Sequence, residues 1–315
     1  MKLSDIFPNV RLEDAPNIIP IESHTGTVGA QFIERLAREL KGDYRHEVPI
    51  GLTDNFDDYA RPGLGGFDPS KVNPLIREFY EHTTQFKMHV TPKWSPLVLP
   101  FFWLFRVFYA ERVGQFILPL NAEETKAGFE SYIDTIDIDH DKIPEFRAWI
   151  RKYPNTDKAV YVGVYSTVKL DIPYVHVTFA LPESNVTAIL VPYNIGGDEF
   201  LLSSAGGTSK YGGEYFSTIS DDDGDPGTPE RIHCHHIPGH KEEFHLFVKG
   251  GEVFCTHRFS LFGFTFLTLY YELEKLETAP ERDVKELMHK ATNVRKQRRS
   301  PLQPPPANAP AVKPR

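Results

Sequence analysis

The spacing of apolar positions changes along this chain, from a helical period in the first part to a strand period in the second. In "VGAQFIERLAREL", Phe32, Ile33, Leu36, Ala37 and Leu40 fall on one stripe of a 3.6-residue repeat, which predicts an amphipathic helix. "NPLIREFYEHT" predicts another. Asn73 can accept a free N–H of the first turn, Pro74 suits the first helical position, and Leu75, Ile76, Phe79 and Tyr80 supply the apolar side. Between them, "DDYARPGLGGFDPS" reads as a turn-rich loop. The most apolar stretch is "WSPLVLPFFWLFRVFYAERVGQFILPL" (94–120), interrupted by Pro100 and charged at Arg106, Glu111 and Arg112. It falls short of the ~20 uninterrupted apolar residues a membrane-crossing helix needs. Apolar residues all round predict a buried helix near 101–113, followed by a strand. The alternative is a lid or lining helix that turns its Phe and Trp side chains toward a ligand or a membrane surface.

From about residue 144 the period becomes two. "AVYVGVYSTVKL" (159–170) sets valines on one face and Tyr161, Tyr165 and Thr167 on the other. "YVHVTFAL", "VTAILVPY", "DEFLLSSA", "EYFSTI", "RIHCHHI" and "EEFHLFV" continue the pattern, and "GEVFCTHRFSLFGFTFLTLYYELEKL" ends it as one long strand or a bent pair. The predicted fold is α+β: N-terminal helices, then a 7–8-stranded antiparallel sheet, closed or nearly closed, with an interior able to hold a ligand. Residues 1–276 form a single domain, 1–143 mainly helix and loop and 144–276 the antiparallel sheet. Residues 277–300 predict a basic amphipathic helix and 301–315 a disordered Pro-rich tail.

Charge and composition narrow the function classes. Lys and Arg number 35 against 43 Asp and Glu, a net charge of −8, which opposes a general nucleic-acid binder. Two cysteines make no disulfide framework, and "MKLSDIFPNVRLEDAP" lacks the apolar run of a signal peptide, so a cytoplasmic protein is expected. The 23 Phe and 14 Tyr against 3 Met suggest rigid apolar surfaces, as in a core or a ligand cavity. Residues 277–315 hold nine basic and four acidic side chains, so the stripe at 281–294 with Arg295, Lys296, Arg298 and Arg299 predicts weak peripheral contact of 281–299 with anionic membrane.

The densest candidate chemistry is "RIHCHHIPGHKEEFH" (231–245). If the flanking strands pair across Pro238-Gly239, His235 faces Glu242, Cys234 faces Glu243 and Ile232 faces His245. His233, His235 and Glu242 then share a face, with His245 on the opposite one, and an His-x-His pair with a third ligand is workable zinc geometry. Both faces are equally furnished, however, and Lys241 opposes a cation, so a polar hairpin is the first reading and zinc the alternative. "DDDGD" and "AGGTSKYGG" lack the spacing of a calcium loop and a phosphate loop. No catalytic residue can be assigned. Polar residues within apolar segments give the candidate ligand-binding set: Arg112, Gln115, Tyr165, His176, Tyr215 and His257, with Arg258 a weaker member. Arg112 stands out because it ends the most apolar helix, and a buried guanidinium needs an anionic partner, with Glu111 the nearest in sequence.

"REFYEHT", the 94–120 run, "SSAGGTSKYGGEYF" and "GGEVFCTHRFSLFGFTFLTLYYEL" together resemble a group of uncharacterised bacterial proteins over roughly residues 72–275. No activity attaches to that group, and its hairpin is not histidine-rich, which weighs against metal. The arrangement is also similar in shape to helix-grip and lipocalin-like ligand binders, an analogy that does not settle function. The leading expectation is a protein that binds, and in one version modifies, a hydrophobic small molecule or lipid within its sheet, without a cofactor. The alternatives are a metal-dependent hydrolase or lyase using His233, His235, Glu242 and His245, and a non-enzymatic interaction protein.

Overall fold

Alternating segments of this chain bury one face or both by pairing edge to edge, and most of the molecule is built that way. The computed structural model describes residues 9–10, 25–63, 65–126, 128–154, 156, 158–205, 209–220 and 231–276. The strands are β1 (Asn9–Val10), β2 (Asp43–Arg45), β3 (Phe86–Trp94), β4 (Glu130–Asp137), β5 (Phe146–Lys152), β6 (Ala159–Lys169) and β7 (Pro173–Leu181). They continue as β8 (Ser184–Asn194), β9 (Phe200–Ser203), β10 (Gly213–Ser220), β11 (Arg231–His236), β12 (His240–Lys249), β13 (Glu252–Leu261) and β14 (Phe264–Lys275). The helices are α1 (Phe32–Leu40), α2 (Pro74–Glu81) and α3 (Leu99–Phe105), the last extended by a π-helical stretch (Arg106–Ala110) and a final turn (Glu111–Val113).

Both sequence-predicted N-terminal helices form, and for the expected reasons. Phe32, Ile33, Leu36 and Ala37 are the buried stripe of α1. Asn73 caps α2 by accepting the Leu75 N–H, and Pro74 is the first helical residue. The predicted α+β arrangement, N-terminal helices followed by a closed sheet, is overturned: the described residues are mostly one antiparallel sheet, strands β2 and β3 interleave with the helices, and the longest helical stretch lies mid-chain at 99–113. The sheet holds 14 strands, not seven or eight, and it is open: β2 and β3 end the path β2-β4-β5-β6-β7-β8-β9-β12-β13-β14-β3 without pairing to each other. A side branch carries β10, β11 and β1 from β8. The extra strands lie partly in the region read as helix and loop. β3, "FKMHVTPKW", alternates apolar and polar throughout, but Pro92 removes a ladder donor and confines the strand to a sheet edge, where it lies against β14.

β8 is the strand on which the sheet folds. Ser184 to Ile189 pair with β10, while Val191 to Asn194 pair with β9, so one strand serves two halves of the sheet. The main core lies on the inward face: Trp149, Tyr165, Val177 and Leu190 from one half meet Leu202, Leu246, Cys255, Leu269 and Tyr271 from the other. α2 and the segment carrying Leu52, Phe56, Tyr59 and Phe67 plug this interior. α1 covers the outward face of β4–β6, against Ile136, Ala148, Ile150, Val162 and Val164. β6 is therefore buried on both faces, its tyrosines inward and its valines beneath α1.

The 94–120 run is not a core helix. No residue of α3 itself is buried, and Phe101 is 72% exposed. Stacking of Phe102 on Trp94, at 4.1 Å between ring centroids, anchors its start. Ion pairs of Arg106 with Glu124 and Glu111, and buried Ala110 and Val113, anchor its end. No strand follows directly; the next is β4 at Glu130. Residues Met1–Lys275 form one compact unit. The expected C-terminal helix at 277–300 and the tail at 301–315 lie outside the described residues.

Candidate functional site: a buried arginine among aromatic rings

In "FRAWIRK" the alternation places Phe146, Ala148 and Ile150 beneath α1 and turns Arg147, Trp149 and Arg151 inward. The two arginines meet different surroundings. Arg147 forms an ion pair with Asp54. Arg151 is 3% exposed, and its guanidinium lies 3.6 Å from the Trp149 ring centroid, 4.6 Å from Tyr161 and 5.4 Å from Tyr271. Among the described residues its Nε has no hydrogen-bond partner, and no carboxylate pairs with its guanidinium. Desolvating a cation costs several kcal/mol, whereas a good cation–π contact returns about 2 kcal/mol. The rings offset part of the cost, and the guanidinium keeps unused donors.

Beside it lies a cavity of about 30 Å³, room for one or two water-sized groups. Its walls come from both halves of the sheet: Trp149, Tyr161 and Tyr165 on one side, Leu246, Cys255 and Tyr271 on the other. Leu52, Phe79 and Tyr80 close it from the plug, and half-buried Met88 comes from edge strand β3. Gly163 stands opposite Trp149 in the β5–β6 register, and a Cβ there would lie 3.3 Å from the Phe179 ring and 3.5 Å from that of Tyr165.

A titratable network adjoins the cavity. Glu242 shares its strand face with Phe244 and Leu246, and its Oε1 lies 2.6 Å from His257 Nε2. With Glu242 ionised, Nε2 donates that bond, leaving Nδ1 to accept from the Tyr271 hydroxyl at 3.4 Å. The His257 ring stacks on Phe244, with centroids 3.7 Å apart. Burial lowers the affinity of His257 for a proton, opposed by its bond to Glu242. Further along, Glu214 is 2% exposed, and burial first, then the charge of Glu242, raise its pKa to about 8. His240 sits 3.8 Å from it. Burial works against protonation of His240, but Glu214 and Glu242 together more than offset it, so its pKa is raised.

The six residues singled out from sequence do not converge. Tyr165 lines the cavity and His257 stands at its wall. Gln115 is fully buried elsewhere. Its amide donates to Val162 O and Ala180 O and accepts from Val162 N, replacing a rung where the β6–β7 ladder stops at Val164–Thr178. Tyr215 packs in a separate cluster with Tyr174 and Cys234, on the strand face that His176 also occupies. Arg112 is exposed, and Glu111 pairs instead with Arg106 and Lys158.

The expected histidine hairpin does not form. β11 pairs with β10 and β1, and β12 with β9 and β13, so the register of His235 with Glu242 is replaced by His235 with Phe216 and Glu242 with Phe259. Pro238-Gly239 is a corner between the sheet halves. Gly239 has φ +74°, and a Cβ there would lie 2.3 Å from the Phe262 ring, so the position requires glycine. The four residues of the zinc alternative are thereby divided: Glu242 holds His257, His245 holds Glu199 at 2.6 Å, and His233 and His235 stay with β10.

Sequence reasoning overlooked Arg151, Trp149, Tyr161, Tyr271 and Glu214. The available signal was a basic residue at an inward position of an alternating strand. It also overlooked Asp137, Asp139 and Glu145, whose carboxylate oxygens lie within 4.8 Å of one another in the β4–β5 turn. These acids accept backbone N–H groups of His140, Lys142, Asp141 and Ile138, which accounts for them as the frame of that turn.

Among the described residues, no helix is long and apolar enough to cross a membrane. No family model matches the chain, and no solved structure matches it. Over 264 residues it is 26% identical to the uncharacterized membrane protein YndJ of Bacillus subtilis (strain 168), covering 81% of this chain. The chain spans 43% of that relative's length, so what the two share is a portion of a longer uncharacterised bacterial protein.

Proposed function

We propose that this chain binds a small apolar molecule between the two halves of its folded sheet. The observation that carries this reading is the cavity beside Arg151, walled almost wholly by aromatic and aliphatic side chains with one charged group among them. Ligand sites are commonly built so, apolar walls giving affinity and a few polar groups giving orientation. Native mass spectrometry of the purified full chain tests it. The expected result is an adduct that leaves on unfolding and is lost when Cys255→Val, which adds about one methyl group, narrows the cavity. Absence of any adduct, together with no binding of added apolar acids, alcohols or amides, overturns the reading.

A second observation supports a location at a membrane surface. Trp103, Phe105, Phe108 and Tyr109 are exposed on the α3 helix, and Phe262 and Phe264 on the β13–β14 turn. Ser95 N donates to Phe266 O, so both groups lie at the end of the sheet where β3 leads into α3. Exposed apolar side chains this concentrated mark an interaction surface, and Trp and Tyr suit the bilayer interface, where one edge is wet and the other apolar. The membrane protein among the relatives agrees with this reading. Flotation of the full chain with phospholipid vesicles is the test. Replacing Phe101, Trp103 and Phe108 by Ser should abolish it, and undiminished flotation of that variant overturns the location.

A further inference from the structure

We infer that Arg151 is the anchor of a carboxylate site, so that the molecule bound in the cavity is a small apolar acid in its anionic form. This rests on the binding reading above and names the ligand class for the same site. A guanidinium offers five N–H donors in a planar fork that matches the two oxygens of a carboxylate. Arg147, four residues earlier on the same inward face, pairs through Nη2 with Asp54, although its Nε too is unpartnered. Arg151 has nothing comparable. Its Nε is unpartnered, its faces are covered by Trp149 and Tyr161, and the buried carboxylate of the neighbouring network, Glu242, is held by His257 at 2.6 Å.

The surroundings discriminate further. A neutral ligand would leave the guanidinium as costly as it is now, while a dianion would bring a second charge into a wall of rings with no second cation. A monoanion satisfies the fork and neutralises one charge. The cavity of about 30 Å³ is of the size of a head group. The apolar remainder would lie toward Met88, the half-buried member of the wall, whose unbranched thioether chain repacks readily.

The test compares benzoate with benzamide, which have nearly the same shape and differ in charge. Binding to the full chain is followed by saturation-transfer NMR and by the shift in thermal midpoint. Benzoate is expected to bind at least tenfold more tightly and to raise the midpoint, with benzamide close to inert. Arg151→Met should bring the two ligands together by weakening benzoate alone. If both bind the wild-type protein equally, the carboxylate assignment falls and the apolar pocket stands. If neither binds, both readings fall. The wild-type comparison needs no variant, so a misfolded Arg151→Met protein leaves the proposal equally exposed. Undiminished benzoate preference in a folded Arg151→Met protein also overturns it.

Discussion

The Arg151 guanidinium carbon lies 3.6 Å from the centroid of the Trp149 ring, two residues away on the same inward face of β5. The pair puts a cation where a strand of this fold would ordinarily bury an aliphatic residue. Its energetics predict an asymmetry between the two inward arginines. Arg151→Met removes an uncompensated buried charge and keeps most of the volume, so stability should change by less than about 1 kcal/mol, in either direction. Arg147→Met removes an ion pair to Asp54, which is half exposed and stays solvated, and should cost about 1 kcal/mol. Urea unfolding of both variants without ligand checks this. A loss above 3 kcal/mol for Arg151→Met would show that the cation–π contacts outweigh desolvation.

Glu214 makes stability depend on pH. Its folded pKa, about 8, lies above the ordinary value of 4.5, so the folded state holds a proton that the unfolded chain has released. That contribution is fully present below 4.5 and is lost as pH rises through 8. Glu214→Gln should therefore gain on the wild type between pH 5 and pH 8.5, by on the order of 3 kcal/mol. Unfolding free energies at the two pH values decide it. A constant difference would remove the role of Glu214.

Asp134 is 1% exposed and accepts hydrogen bonds from Tyr44 OH at 2.8 Å, His46 Nδ1 at 2.9 Å and Glu47 N at 2.9 Å. Asp134→Asn sets an amide against one of these donors and should cost about 1–3 kcal/mol. The bond to Asp134 also raises the pKa of His46 above 6.5, against burial. The stability this gives is present below 6.5 and lost as pH rises through the raised value. The variant should show a flatter pH profile in that window by thermal unfolding.

Gly51 seats the plug. A Cβ at this position would lie 2.2 Å from Tyr80 O and from Glu81 C, both backbone atoms, while Leu52 N donates to Tyr80 O at 2.7 Å. Gly51→Ala must push α2 away from the cavity it closes. The expected cost is about 3 kcal/mol, with increased dye binding to the exposed interior. A variant of wild-type midpoint would mean the plug is loosely held.

The exposed aromatic side chains of α3 should matter little to the fold. Ser at Phe101 or Phe108 should change stability by less than about 0.5 kcal/mol, and at half-exposed Trp103 by about 1 kcal/mol, because none of the three is enclosed. A large loss would place them in an intramolecular contact.

Local pattern and backbone chemistry were enough for the two N-terminal helices and for most strands from Ala159 onward, whereas β5 at Phe146–Lys152 was not singled out. Asn73, Pro74 and the Phe32–Leu40 stripe act within a single turn or two, so their effect is written in neighbouring residues. Inward and outward faces of β5 and β6 follow from alternation in the same way. Pairing partners do not. "RIHCHHIPGHKEEFH" has the look of a hairpin, yet its two strands pair with β10 and β9 instead of each other, partners that lie outside the segment and that its own pattern does not name. The apolar run at 94–120 likewise carries no mark of which side stays uncovered. Hydrophobicity is non-directional, and only the rest of the chain decides whether such a helix is enclosed. The site is the strongest case. Arg151 and Trp149 are two positions apart, but Tyr271 comes from the far end of the sequence, and whether a carboxylate reaches the guanidinium is a property of the folded sheet alone.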